Sequence, residues 1–193
     1  TSDGKLRFNF EGAQWKPVIN WFADECGFSL QPTDDYPEGS FTYHDDEEYT
    51  VLEALDQLNH ALSLRGYTLV RNRKMLVLRS NRESPPDELI EDVTPEQLKD
   101  RGKYEIMRCV FDLSDLEGSE IDREVERIVS SRNRDSVVYV PSAKKLFVRD
   151  VGERLRIVNQ MLGEARRLRI AANTEVGTYE MKHVVFPELM GVV

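Results

Sequence analysis

One strand-like opening occurs twice in this chain: Tyr104-Glu105-Ile106-Met107-Arg108-Cys109-Val110-Phe111 and Tyr179-Glu180-Met181-Lys182-His183-Val184-Val185-Phe186. With a one-residue gap, both read Tyr-Glu, Met, a basic residue, any residue, then Val-Phe. A looser relative, Leu6-Arg7-Phe8-Asn9-Phe10-Glu11, opens the chain. Repetition on this scale points to small units in series rather than one large core. Because the second copy begins close to Val193, residues 171–193 are expected to be the start of a truncated third repeat.

The apolar pattern divides the rest. Leu6, Phe8 and Phe10 alternate with polar residues, as in a half-buried strand. Trp15, Val18, Ile19, Phe22, Ala23 and Cys26 then recur at helical spacing, with Gly27 as the stop. Short strands are expected at Phe28–Leu30 and Ser40–His44. Thr50 and Glu53 form a capping box ahead of a helix lined by Val51, Leu55, Leu58 and Leu62. Tyr67–Val70 and Met75–Leu78 make a hairpin around Arg71-Asn72-Arg73-Lys74. Residues 1–80 therefore read β-α-β-β-α-β-β.

Residues 81–103 contain Ser84-Pro85-Pro86 and seven acids, and read as an acidic linker unable to bury a core, with one helical turn at Thr94-Pro95. From Tyr104 to about residue 170 the order is β-α-β-β-α. A helix capped at Ser119 carries Ile121, Val125, Ile128 and Val129. The hairpin Val137–Val140 and Leu146–Val148 follows, then a helix lined by Leu155, Val158, Leu162 and Ala165. The fold class is α+β: two small modules, each a short sheet covered by two helices, the second with KH-like order. Modules of roughly 65–80 residues bury modest cores and gain from packing on neighbours.

This pattern resembles the periplasmic N-terminal domains of bacterial secretins. Residues 1–80 are similar to the secretin and TonB short N-terminal domain, through the Leu6–Phe10 strand, Gly12-Ala13-Gln14-Trp15-Lys16-Pro17-Val18-Ile19, the Cys26-Gly27-Phe28 stop, Gly39–Tyr43 and Val51–Leu55. Residues 104–170 are similar to the repeated secretin N-domain, through Val110–Leu113, Val137–Val140 and Leu146–Asp150. The resemblance implies a non-catalytic, periplasmic module of an outer-membrane secretion or pilus channel. Such modules self-associate into rings and dock inner-membrane components or the secreted protein. The alternative it leaves open is a signalling or interaction module of a TonB-linked or other envelope protein that is not a channel, binding a partner by adding a strand to a sheet edge.

Chemistry-bearing patterns are sparse. The sequence has no Walker loop, G-x-S-x-G, G-x-G-x-x-G, H-E-x-x-H or C-x-x-C. His44, His60 and His183 stand apart. Asp45-Asp46-Glu47-Glu48, with Asp34 and Asp35 upstream, offers oxygen ligands but lacks EF-hand spacing and reads as a solvated loop. Asp112 and Asp115 are an acid pair of the kind any charged protein supplies. No catalytic, metal or cofactor site is expected. The net charge of −9 and the missing G-x-x-G loop argue against a nucleic-acid partner. No apolar run is long enough to span a bilayer. Cys26 and Cys109 read as free thiols or as one disulfide between modules.

Four residues are candidate interface positions. Trp21 points away from the apolar stripe of its helix; it either packs beneath the sheet edge or the acidic segment, or anchors a neighbouring subunit. Arg71, Arg73 and Lys74 form a basic turn on an acidic module. They are either a solvated hairpin or an electrostatic contact for an acidic surface such as Asp45–Glu48 of an adjacent copy.

Overall fold

The computed structural model describes residues 5–129 and 136–175, apart from the side chains of 118–120 and 172–175. It is α+β throughout. The early elements are strands β1 (Lys5–Leu6) and β2 (Asn9–Gln14), helix α1 (Trp15–Cys26), strands β3 (Ser29–Leu30), β4 (Ser40–His44) and β5 (Tyr49–Thr50), and helix α2 (Val51–Ser63). The hairpin β6 (Tyr67–Asn72) and β7 (Met75–Ser80) completes this part. Three small sheets result: β1 with β5, β2 with β4, and β3-β7-β6.

The expected first strand is divided at Arg7 and Phe8. The break lets Phe8 turn fully inward, where Phe10, Trp21, Tyr43 and Tyr49 surround it edge-on at 5.7–6.2 Å between ring centroids. Full burial of such a side chain stabilises the fold by about 2–3 kcal/mol. The helical stripes pack as their spacing predicts. Trp15, Val18, Ile19, Phe22 and Ala23 of α1 meet Ala54, Leu55, Leu58 and Leu62 of α2 in one cluster, with Leu69, Leu76 and Leu78 beneath. The Thr50 capping box forms: the Thr50 hydroxyl accepts from the Glu53 N–H, and the Glu53 carboxylate accepts from the Thr50 N–H at 2.8 Å.

The second module is one sheet whose strands lie side by side in the order β10 (Val137–Val140), β11 (Lys145–Val151), β9 (Ile106–Asp112) and β8 (Asp92–Val93). Strands β9 (Ile106–Asp112), β10 (Val137–Val140) and β11 (Lys145–Val151) are antiparallel neighbours. Helices α3 (Gly118–Ile128) and α4 (Gly152–Glu175) cover them, giving the expected β-α-β-β-α order. Its core holds Met107, Cys109, Phe111, Val125, Leu146, Val148, Leu155, Val158 and Leu162. Helix α3 starts at Gly118, ahead of the expected Ser119 cap, and α4 runs past residue 170 to Glu175. Arg166 of α4 pairs with Asp115 at 3.0 Å.

The acidic segment departs from its linker reading. It contains a 3-10 turn at Asp87–Leu89, the strand β8 (Asp92–Val93) and a 3-10 helix at Pro95–Asp100. Strand β8 runs parallel to β9, with Asp92 opposite Arg108 and Val93 opposite Cys109. Ile90, Val93 and Leu98 are buried, the last two inside the second core. The acids are what make this possible, because they meet arginines projecting from the sheet. Asp92 and Asp87 pair with Arg108, and Asp87 also pairs with Arg149 at 2.8 Å. A polar composition that suits solvent suits a cationic sheet face equally well. The residues expected to begin a third repeat from 176 onward, His183 among them, lie outside the described residues.

Candidate interaction site

The hairpin of β6 and β7 brings the three basic candidates to one turn and then separates them. Arg71 faces the second module, where its guanidinium grips Glu105 with two bonds: Nε to Oε1 at 2.6 Å and Nη2 to Oε2 at 3.1 Å. Glu105 has no exposed side-chain surface, and Arg71 is only 13% exposed. Arg71 is therefore engaged inside the chain rather than held out to an adjacent copy. Arg73 and Lys74 form the turn itself, with Arg73 at φ 54°, and both side chains are exposed. The Arg73 N–H donates to Glu91, and the Lys74 carbonyl accepts from the Ser29 N–H at 2.8 Å.

Around Glu105 a cluster closes that the sequence pattern does not reveal. Arg101 Nη2 donates to Glu105 at 2.9 Å and to Glu91 at 3.1 Å, and the Gly102 N–H donates to Glu105 at 3.0 Å. On the first-module side, Asp56 of α2 accepts the N–H groups of Lys103 at 2.7 Å and Tyr104 at 3.0 Å. The ring of His60 lies against Tyr104 at 5.0 Å. Arg156 of α4 closes the far side by donating to the carbonyls of Leu98 and Arg101. The only sequence signal for this cluster is the glutamate repeated in Tyr104-Glu105 and Tyr179-Glu180. A charge at the start of a buried strand needs partners, because an unpaired buried charge costs several kcal/mol.

Trp21 is half-buried. Its ring stands edge-on to Phe8 at 5.8 Å and to Phe10 at 5.1 Å, so it packs on the first module's aromatic cluster. Asn59, which sequence reasoning passed over, is buried in α2 and bonds both main-chain groups of Leu69. Its amide donates to the Leu69 carbonyl at 3.2 Å, and its oxygen accepts from the Leu69 N–H at 2.7 Å. It occupies the outer edge of β6 at the strand's centre.

The remaining charged candidates have local partners. His44 shares a hydrogen bond with Asn9 at 2.7 Å. Asp45 accepts from the Tyr49 hydroxyl, which holds its carboxyl below the usual range. Asp35 accepts from the Tyr67 hydroxyl at 2.7 Å. The Ser114 hydroxyl, together with the Ser114 N–H that donates to Asp112, holds the Asp112 carboxyl below the usual range. Among the described residues no group of three or more His, Cys, Asp or Glu side chains is arranged to hold a metal ion. No described helix is long and apolar enough to cross a membrane. Cys26 and Cys109 are not bonded to each other.

No family model matches the sequence, and no curated protein matches it. Solved structures do. A chain of the Klebsiella pneumoniae type II secretion system outer membrane complex (PulD, PulS and PulC HR domain) aligns over 95% of this chain and 33% of its own, at 13% identity and a TM-score of 0.56. The N-terminal domain of the secretin XcpQ from Pseudomonas aeruginosa aligns over 84% of this chain and 65% of its own, at 13% identity and a TM-score of 0.35. The type IV competence pilus secretin PilQ of V. cholerae gives 15% identity, 81% and 37% coverage, and a TM-score of 0.33. The chain thus spans less than two thirds of these structures. Its class is a tandem of small α+β modules. Its fold is that of secretin N-terminal domains, as the residues quoted from the sequence imply.

Proposed function

We propose that this chain is a non-catalytic, periplasmic part of a secretin-like outer-membrane channel, associating with its own copies in a ring and docking inner-membrane components or the secreted protein. The observation that carries this reading is the fold likeness across 95% of the chain to the type II secretion complex. A groove of about 370 Å³ lies against Asn59, Thr68, Tyr104 and Asp150, where Asn59 accepts from the Leu69 N–H and Asp150 from the Val151 N–H. The rival reading, strand addition to a sheet edge, has less to work with at β6, since Asn59 already holds both main-chain groups of Leu69.

Within this reading Trp21, Arg73 and Lys74 remain the proposed contacts between copies. The test places a photo-cross-linking residue at Arg73 or Lys74 in the full-length gene product, in cells. A ladder of products at multiples of the subunit mass is expected. Double charge reversal, Arg73→Glu with Lys74→Glu, is expected to thin that ladder without shifting the melting temperature, because both side chains are exposed. A lone monomer band, or one product with an unrelated protein, would sink the ring reading.

A further inference from the structure

We propose that the cluster centred on Glu105 is a latch that holds the two modules as one rigid body at a fixed angle. Small polar interfaces between domains normally permit relative motion. Here the joint is pinned from both sides. The first module contributes Arg71, which forks onto Glu105, and Asp56, which accepts two successive main-chain N–H groups at Lys103 and Tyr104. The second contributes Glu105 itself, whose carbonyl accepts from the Gly152 N–H at 2.9 Å where α4 begins. Arg101 and the Gly102 N–H complete the shell around the carboxylate.

The backbone leaves no slack. A Cβ on Gly102 would stand 2.4 Å from the Asp56 carboxylate, and one on Gly152 would stand 2.1 Å from the Gly102 carbonyl. The turn at 101–105 is thus pressed between α2 of one module and the start of α4 in the other. Glu105 is fully buried, so sliding or tilting one module strips Arg71 from a carboxylate that water cannot reach. Such a cluster sets geometry sharply even where its net contribution to stability is small. The acidic segment reinforces it: Asn72 donates to the Glu88 carbonyl, and the Arg73 N–H donates to Glu91.

The test measures the distance between spin labels on exposed positions of the two modules, Asp24→Cys and Glu126→Cys, in the whole chain with Cys26→Ser. Cys109, with no exposed surface, stays in place. A single narrow distance peak is expected. Arg71→Met removes the first module's arm, and Asp56→Asn weakens the second strut without touching the ion cluster. Broadening of the peak in either variant, with the circular dichroism of both modules retained, supports the latch. A broad distribution in the unaltered chain overturns it. So does a peak that stays narrow in both variants.

Discussion

At the scale of single residues, the half-buried Cys26 thiol and the buried Cys109 thiol carry a pH signature. Burial pushes Cys26 up to about 12, with Glu25 adding to the effect, and pushes Cys109 up to about 12, with Glu96 adding to it. In the unfolded chain a thiol ionises near 8.5. The folded state therefore keeps protons that the unfolded state releases. The stability this contributes is complete below about pH 8.5 and is lost as pH rises toward 12. Urea midpoints are expected to fall over that window, and Cys26→Ser is expected to remove part of the slope. The apolar stripe that carries Cys26 runs along the packed face of α1, where its thiol is half-buried, since apolar spacing reports burial. The sequence pattern was silent on Asn59 and marked Glu105 only by its repetition at Glu180, because a polar residue on a buried face is legible only once its partner is known. Arg71 lies thirty-four residues from Glu105, and no local spacing links them.

At the scale of elements, β6 illustrates how a helix protects a sheet. An edge strand exposes alternate N–H and C=O groups as a template for another chain. Asn59 of α2 fills that template at Leu69. Replacing it by alanine strands a donor and an acceptor in a buried setting, a loss of about 1–3 kcal/mol. Asn59→Ala is expected to lower the urea midpoint accordingly and to increase concentration-dependent association, as the edge becomes available. Unchanged stability and a strictly monomeric variant would show that the edge is protected by something else. Helices α1 and α2 were legible in full, from stripe, cap and stop signals that act within a few residues. Strand β8 was not. Two residues among prolines and acids carry no period, and what makes them a strand is the parallel register with Arg108 and Cys109.

At the scale of the whole molecule, composition and structure draw different borders. The acidic segment looks like a separator, yet Val93 and Leu98 lie in the second core and its aspartates pair with Arg108 and Arg149. Burial pushes the Arg149 guanidinium below its ordinary value, against the pull of Asp87, while the Asp92 hydrogen bond pushes Arg108 above its own. A polypeptide beginning at Tyr104 is therefore expected to unfold at lower denaturant than one beginning at Asp87. Paired chemical denaturation of the two pieces checks this, and equal midpoints would restore the linker reading. The order of the longer elements was readable from one sequence because each of them announces itself locally. The joint between modules was not, since it is written in long-range charge pairs.

The contact of Gly152 with the Gly102 carbonyl reaches further than this one chain. Every non-synonymous codon one base away from a glycine codon specifies either a stop or a residue with a Cβ. At position 152 that atom would fall 2.1 Å from a main-chain oxygen. Drift cannot explore this site by small steps; each replacement forces the joint open at once. In related sequences, a glycine two residues beyond an aspartate near the end of the strand matching β11 is expected to mark the same bend, even where every charged partner has been exchanged.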